Sequence, residues 1–171
     1  MKKIFLLVLC LALSLTVIGC SLDSPPQKEK NDAEVSGEKG EMTFGLNEVA
    51  VFKNLKFTAL EIKESSGSTY FAPEDGNTFV GVKFEIENTS EEEQTISTIL
   101  LFEGYADDVK CDYSFSASCA FDEGTLDGTV APGKKLVGWY AVELSEDWQQ
   151  LELHVQSNFL SYNTAKFVFE K

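Results

Sequence analysis

Few side chains in this sequence have the types and spacing that catalysis or metal binding requires. The single histidine, His154, alternates with apolar residues in "LELHV" and is predicted to point to solvent from a strand. A triad or a zinc site needs partners that the sequence does not show beside it. No H-E-x-x-H pair, G-x-S-x-G elbow or glycine-rich phosphate loop occurs. The sequence therefore predicts a protein that is not an enzyme and that uses no cofactor.

Acidic loops are the second candidate for chemistry, because carboxylate oxygens are ligands that Ca²⁺ prefers. The candidates are Asp107, Asp108, Asp112, Asp122 and Glu123, with Asp127 nearby. The EF-hand pattern is absent, so a solvated acidic rim is favoured over a calcium site, and no metal is predicted. The run Glu91 to Glu93 is interpreted as a charged hairpin tip that blocks edge pairing.

Cys20 ends an apolar segment near the start of the chain. Two lysines precede an uncharged run from Ile4 to Ile18, which is the plan of an export signal rather than of a membrane span. The run ends in "VIGC", which resembles a bacterial lipobox and implies cleavage before Cys20 and a diacylglycerol on its sulfur. We predict a lipoprotein signal peptide over residues 1–19 and an anchored protein on the extracytoplasmic face of the cell membrane. An ordinary cleaved signal with an accidental cysteine is the alternative.

Two further cysteines lie in the mature chain. Cys111 and Cys119 enclose "CDYSFSASC", and a disulfide persists in an oxidising extracytoplasmic space. Closing this ring stabilises a fold by roughly 2.5 kcal/mol in the chain-entropy model. The spacing fits neither a C-x-x-C redox motif nor a zinc site. A Cys111–Cys119 disulfide is predicted, with two free buried thiols as the alternative.

Composition narrows the classes of partner. Cleavage before Cys20 leaves 12 lysines against 28 acidic residues, a net charge of −16, and the chain has no arginine. Binding of nucleic acid requires basic side chains that neutralise phosphates, so nucleic acid is excluded as a partner. An acidic domain is also repelled by anionic lipid headgroups, although solubility is an equally simple explanation of the charge and is favoured.

The mature chain divides into a tether and a domain. Residues 20–41 contain two prolines and mixed charges, and are predicted as a lipidated, disordered tether. Residues 42–171 contain short runs in which apolar and polar residues alternate, and turn signals separate the runs. The runs are Leu55–Lys63, Val80–Asn88, Thr95–Phe102, Lys110–Phe115, Leu136–Leu144, Leu151–Val155 and Ala165–Phe169. They predict an all-β fold, an immunoglobulin-like antiparallel β-sandwich of seven or eight strands.

Four motifs in this order resemble a known family. They are "GLNEVAVFKNLKFT" from Gly45, "PEDGNTFVGVKFEIENT" from Pro73, "VAPGKKLVGWY" from Val130 and "LELHV" from Leu151. They resemble a family of immunoglobulin-like domains of unknown function on Gram-positive lipoproteins, which is similar in fold to a secreted immunoprotective antigen of mycobacteria. The resemblance covers about residues 42–171 and implies the sandwich without any catalytic residue. The segment that holds Cys111 and Cys119 departs from it.

These observations predict a lipid-anchored, non-enzymatic module that recognises a protein or a cell-envelope component through loops at one end of the sandwich. The alternatives are an accessory subunit that stabilises a membrane protein complex through a sheet face and a calcium-binding surface domain. Tyr105, Tyr113 and Phe115 are candidates for an exposed binding platform, or for residues that pack the segment 103–128 onto the sandwich. The sequence leaves both readings open.

Overall fold

The computed structural model describes residues 25–28, 42–122, 124–158, 160 and 163–171. The predicted signal peptide, Cys20 and Glu123 lie outside these residues. Within them the chain forms twelve strands and two helices of four residues each. They are β1 (Gln27–Lys28), β2 (Thr43–Phe44), β3 (Val49–Val51), β4 (Leu55–Ser65), β5 (Asn77–Asn88), β6 (Gln94–Ile96), α1 (Thr98–Leu101), β7 (Phe102–Ala106), β8 (Val109–Cys111), α2 (Phe115–Ser118), β9 (Gly128–Val130), β10 (Lys135–Ser145), β11 (Gln150–Gln156) and β12 (Thr164–Glu170).

Ten of these strands form two five-stranded sheets. Sheet 1 has the order β1-β3-β4-β5-β10, and sheet 2 has the order β2-β12-β11-β7-β8. Neighbouring strands are antiparallel except β2 and β12, which are parallel. Strands β6 and β9 pair separately as a two-stranded ribbon. The predicted antiparallel β-sandwich is confirmed, and the described residues add short edge strands to the seven or eight expected.

Large apolar side chains from both sheets fill the space between them. Along β5 the residues Val82, Phe84 and Ile86 point inwards and have no exposed surface. The Phe84 ring centroid lies 5.3 Å from that of Phe102 and 5.2 Å from that of Phe167, both in sheet 2. These edge-to-face contacts add to the burial of the rings themselves. Phe84 therefore joins the two sheets at the centre of the core.

Two local features of the sequence predict backbone geometry: alternation breaks at Ala59 and Leu60, and Pro132 followed by Gly133 is typical of a type II turn. Both predictions are confirmed. The register of β4 against β5 shifts between Ala59 and Glu61, where the sequence indicated an irregularity. The Pro132–Gly133 pair forms the expected turn: Gly133 has φ 67°, and the Lys134 N–H donates to the Ala131 carbonyl at 3.0 Å. Glycine adopts this positive φ without strain, which a type II turn requires.

The strand predicted over Thr95–Phe102 is wrong in its second half. The chain instead forms helix α1, and the Asp127 carboxylate accepts hydrogen bonds from the Thr98 backbone N–H at 2.9 Å and from its hydroxyl. Ile99 and Leu100 are 76% and 59% exposed. The apolar run predicted a buried strand, but an acidic residue 29 positions away holds a turn at this point.

The strand predicted over Lys110–Phe115 is also shorter than expected, because β8 ends at Cys111. Residues 112–122 and 124–126, here called the crossing segment, then leave sheet 2 and cover the free edge and outer face of sheet 1. The Ser114 N–H donates to the Ala141 carbonyl at 2.8 Å, and the Phe121 ring stacks on Trp139 with centroids 4.8 Å apart. A Cβ at Gly81 would lie 2.7 Å from the Phe121 ring, so this approach requires glycine.

Part of the predicted tether is a strand. Gln27 and Lys28 pair antiparallel with Val51 and Ala50 at the edge of sheet 1. An edge strand offers unpaired backbone groups, and β1 satisfies some of those of β3. Residues 25–28 thus differ from the expectation of disorder, while the other residues of the tether lie outside the described part of the chain. No helix among the described residues is long and apolar enough to cross a membrane.

Candidate functional site

A crevice opens where the chain passes from one sheet to the other. Strands β7 and β8 pair from Gly104 and Cys111 to Ala106 and Val109. Beyond Cys111 the chain leaves β7, and Tyr113 bridges to Val142 of β10 in sheet 1. The divergence leaves a crevice of about 310 Å³. Its lining is Ile99, Phe102–Gly104, Lys110–Asp112, Tyr113 and Tyr140.

Tyr140 forms the floor of this crevice. The residue is 1% exposed, and its ring stacks on Phe102 with centroids 5.3 Å apart. A Cβ at Gly104 would lie 3.2 Å from the Tyr140 hydroxyl, which places that hydroxyl on the crevice wall. Among the described residues this hydroxyl has no hydrogen-bond partner. Trp139 Nε1 is also unpaired but is fully buried, whereas the Tyr140 hydroxyl keeps some surface in the crevice. Because buried polar groups are normally paired, the hydroxyl can donate to an acceptor that enters the crevice.

Two wall groups that could act as nucleophile or base are held in their protonated forms. Burial, with a smaller contribution from the negative charge of Asp112, raises the pKa of the Cys111 thiol to about 11. Burial likewise raises the pKa of the Tyr140 phenol above its usual value. At neutral pH both groups are therefore neutral hydrogen-bond donors rather than nucleophiles. The crevice therefore presents a thiol and a phenol in their neutral forms.

The rim combines charged and apolar side chains. Lys110 Nζ lies 3.3 Å from the Glu103 carboxylate, and Asp112 adds a further negative charge on the lining. Ile99, on the lining, is 76% exposed, and Val109 and Phe115, which lie one and two residues along the chain from lining residues, are 69% and 64% exposed. Ile99 therefore presents apolar surface at the crevice.

The three aromatic residues predicted as a platform do not lie together. Tyr113 is half-buried on the crevice wall, and its hydroxyl donates to Ser118 Oγ at 3.0 Å. Phe115 is exposed beside it. Tyr105 lies on the outer face of sheet 2, with its ring 5.1 Å from that of His154. Tyr140 and Ile99 were not singled out by the sequence, because strand alternation alone assigns Tyr140 to the core and the apolar run assigns Ile99 to a strand.

The predicted disulfide is absent from the structure, in which both thiols are free. Cys111 is half-buried and its sulfur points towards Gly104, where an added Cβ would lie 2.9 Å away. Cys119 is exposed at the end of α2. The Ser114 side chain caps this helix by accepting from the Ala117 N–H at 3.1 Å. The helix turns Cys119 outwards, so the two side chains have different environments.

These environments predict unequal thiol reactivity. A chain that begins at Ser21 contains Cys111 and Cys119 as its cysteines. At pH 8 a thiol of pKa about 11 is roughly one-thousandth thiolate. We expect one equivalent of Ellman's reagent to react quickly at Cys119, and Cys111 to react only slowly until urea unfolds the chain. Two fast thiols would contradict the buried position of Cys111, and no fast thiol would indicate a disulfide.

His154 lies on the outer face of sheet 2, as predicted, but it has partners. It pairs with the Glu152 carboxylate, which also contacts Lys166 Nζ at 3.1 Å. Partial burial opposes ionisation of Glu152, yet the hydrogen bonds from His154 and Lys166 outweigh it and lower the pKa of Glu152. The i, i+2 spacing on one strand face is the signal that could have identified this pair. These contacts form a charged network on the outer face of sheet 2, where His154 lies opposite Glu103 of the crevice lining.

The acidic residues considered for calcium serve other contacts or lie apart. The Asp107 carboxylate accepts from the backbone N–H groups of Gln149 and Gln150 at 3.0 and 2.9 Å. Asp107 and Asp108 form the β7–β8 turn, whereas Asp122 follows Phe121 on the other sheet. Among the described residues no group of three or more potential ligands is placed to hold a metal ion.

Glu91 to Glu93 were interpreted as a charged hairpin tip. They lie in an exposed loop between β5 and β6, and these two strands do not pair as a hairpin.

Comparison with known proteins gives a family. A family model described as "Domain of unknown function (DUF4352)" matches residues 44–166. This range contains the crevice and most of both sheets, without β1 and the end of β12, and it agrees with the resemblance found in the sequence. No curated protein matches the chain.

Three solved structures are similar in fold. A predicted lipoprotein from Bacillus subtilis (ycdA) has a TM-score of 0.56 and 15% identity, and the match covers 77% of this chain but 39% of that one. An uncharacterised β-sandwich protein from Clostridium difficile has a TM-score of 0.53 and 16% identity, covering 81% and 99%. A predicted lipoprotein from Staphylococcus aureus has a TM-score of 0.51 and 15% identity, covering 71% and 87%. At these identities the likeness shows the fold alone.

Proposed function

The chain belongs to the DUF4352 family, and we propose that it is a lipid-anchored, non-enzymatic module that binds a protein partner on the extracytoplasmic face of the membrane. Similar folds in predicted lipoproteins of Gram-positive bacteria support the extracytoplasmic location. The lipobox ending at Cys20 supports the anchor.

The proposal that the protein binds a partner rests on the crevice. Its floor presents a buried hydroxyl donor at Tyr140, and its lining presents an exposed apolar side chain at Ile99. A volume of about 310 Å³ lies at the lower limit of small-molecule sites. The opening therefore suits one large apolar side chain of a partner, with a neighbouring peptide carbonyl accepting from Tyr140. Glu103 and Asp112 on the lining disfavour an anionic ligand.

A photo-crosslinking residue placed at Ile99 of the anchored protein in living cells tests this proposal. Position 99 lines the crevice, and position 70, in the β4–β5 loop, is the matched control because Tyr70 is 89% exposed and lies outside the lining. We expect a discrete protein adduct from position 99 and none from position 70. Tyr140→Phe removes one hydrogen bond of about 0.5–1.5 kcal/mol and should reduce the adduct roughly two- to tenfold.

Two outcomes would contradict the crevice as the binding site. One is the same adducts from both positions. The other is an adduct at position 99 whose yield Tyr140→Phe leaves unchanged while thermal melting shows that the variant remains folded. A third probe at position 105 samples the outer face of sheet 2. Adducts that form from position 105 alone would favour an accessory subunit that is held through a sheet face.

A further inference from the structure

Strand β1 binds the domain at a definite place. Gln27 pairs with Val51 and Lys28 with Ala50, which adds one strand to the edge of sheet 1. Pro26 precedes this pair and is buried. A proline suits the start of an edge strand, because its missing N–H removes no ladder bond from the interior of the sheet. Strand β1 is therefore added to the edge of sheet 1 in one defined register.

Side chains reinforce the register of β1. Lys28 Nζ lies 2.8 Å from each carboxylate oxygen of Glu48 and 5.3 Å from the centre of the Phe44 ring. The same carboxylate accepts from the Gly45 N–H at 2.8 Å, which fixes its orientation. Phe44 is 1% exposed and belongs to the main core. Lys28 is thereby connected to both the β2–β3 turn and the core.

We propose that residues 25–28 are a clamp that sets the height and orientation of the domain on the membrane. This inference rests on the lipidation of Cys20 in the proposed function. From Cys20 to Pro26 the chain spans at most about 20 Å. A free tether up to Met42 has an extended length near 75 Å by the same measure, and a typical flexible reach of about 25 Å. The clamp replaces a long flexible connection with a short one.

The position of β1 determines which end of the sandwich faces the lipid. Gln27 lies opposite Val51, next to the β3–β4 turn. This turn is joined to the end of β5, because the Thr89 N–H donates to the Asn54 carbonyl at 2.9 Å. The Gly133 N–H in turn donates to the Asn88 carbonyl at 2.9 Å. The end that contains these turns, here called the near end, is the one held at the membrane.

The opposite end of the sandwich is here called the far end. The β4–β5 loop and the β10–β11 turn meet there, since the Glu146 N–H donates to the Gly76 carbonyl at 2.9 Å. The Asp107 carboxylate also accepts a hydrogen bond from the Gln149 N–H at the end of the β10–β11 turn. The exposed run Glu91 to Glu93 follows β5 at the near end, where the Asn88 side-chain amide donates to the Glu92 carbonyl at 2.7 Å. Acidic residues thus lie at both ends, and the proposed orientation rests on the position of β1.

The clamp also leaves the crevice uncovered. Strand β1 is the first strand of sheet 1, and β10, which carries Tyr140, is the last. Four strand spacings, about 19 Å, separate them. The crevice therefore opens at the side of the sandwich opposite the anchored segment, where a partner in the same membrane can reach it.

Fluorescence quenching in vesicles tests the clamp. The lipidated protein is reconstituted with a quencher attached to lipid headgroups, and a dye is placed at Lys134→Cys in the near end or at Asp75→Cys in the far end, both in a Cys119→Ser background. Positions 77 and 88 bound β5, so the ends lie about 36 Å apart at 3.3 Å per residue. We expect the dye at position 134 to be quenched several-fold more than the dye at position 75.

Charge reversal separates the clamp from the anchor. Lys28→Glu places two carboxylates together at Glu48 and should remove the difference between the two dyes. Lys30→Glu makes the same change of charge outside the clamp and should preserve it. Flotation of the protein with the vesicles in a density gradient measures membrane attachment independently of the quenching. A protein that floats but shows equal quenching at both positions, or a difference that Lys28→Glu leaves intact, overturns the clamp, whereas failure to float overturns the lipid anchor.

Discussion

Replacing Phe84 with alanine is expected to destabilise the domain by about 3–5 kcal/mol, the cost of removing a buried aromatic ring and leaving a cavity. Phe84 has no exposed surface and contacts the rings of Phe102 and Phe167 in the opposite sheet. Because the rigid strands around it cannot close the gap, most of this cost should remain after relaxation. Urea unfolding of a chain that begins at Ser21 measures the change in the free energy of unfolding.

Phe115→Ala is the matched control, because the same ring is removed from a position that is 64% exposed. A substitution at such a surface position changes stability by less than about 0.5 kcal/mol. Equal losses in the two variants, or a loss below about 1 kcal/mol for Phe84→Ala, would contradict the assignment of Phe84 to the centre of the core.

The long central strands were predictable from sequence because alternation repeats several times within them. The runs at Val80–Asn88 and Leu136–Leu144 lie inside β5 and β10, which pair over eleven residues from Asn77 and Ser145 onwards. Their inward residues match the buried ones. Edge strands of two or three residues, such as β1 and β8, carry too few alternations to be recognised, and they form because a longer neighbour offers unpaired backbone groups.

The segment between β6 and β9 was the hardest to predict, because its conformation depends on distant contacts. The apolar run at Thr98–Leu101 turns into a helix through the carboxylate of Asp127. The crossing segment needs close approach to sheet 1, where a Cβ at Gly138 would lie 2.6 Å from the Thr125 carbonyl oxygen. Glycines inside alternating strands were the available signal for this approach. Sequence pattern alone did not show which segment would use it.

The candidate site was only partly predictable for the same reason. Tyr113, which lines the crevice, was identified, together with Phe115 two residues further along the chain. Tyr140 reads as an ordinary core residue, since its position in β10 alternates with Val142 and its hydroxyl becomes available only where β7 and β8 diverge. The expectation of a disulfide followed from cysteine spacing and compartment, neither of which specifies the direction in which α2 turns Cys119.

Replacing Cys20 with serine is expected to reduce incorporation of labelled fatty acid into the protein to background. The sulfur of Cys20 is the atom to which the lipobox implies attachment of a diacylglycerol, and a serine hydroxyl does not replace it. Each buried methylene contributes about 0.8 kcal/mol to membrane binding, so loss of the acyl chains removes the dominant attachment. Cys10→Ser makes the same chemical change within the signal peptide and should leave incorporation unchanged. Label that persists in Cys20→Ser would place the lipid elsewhere.

The proposed binding at the membrane and the clamp both depend on acyl chains joined to the sulfur of Cys20. The most direct test is the mass of the N-terminal peptide from protein isolated from its native membrane. We predict a peptide that begins at Cys20 and carries the added mass of a diacylglyceryl group, with residues 1–19 removed. A mature peptide that begins at another residue, or one that begins at Cys20 with an unmodified thiol, would contradict the account.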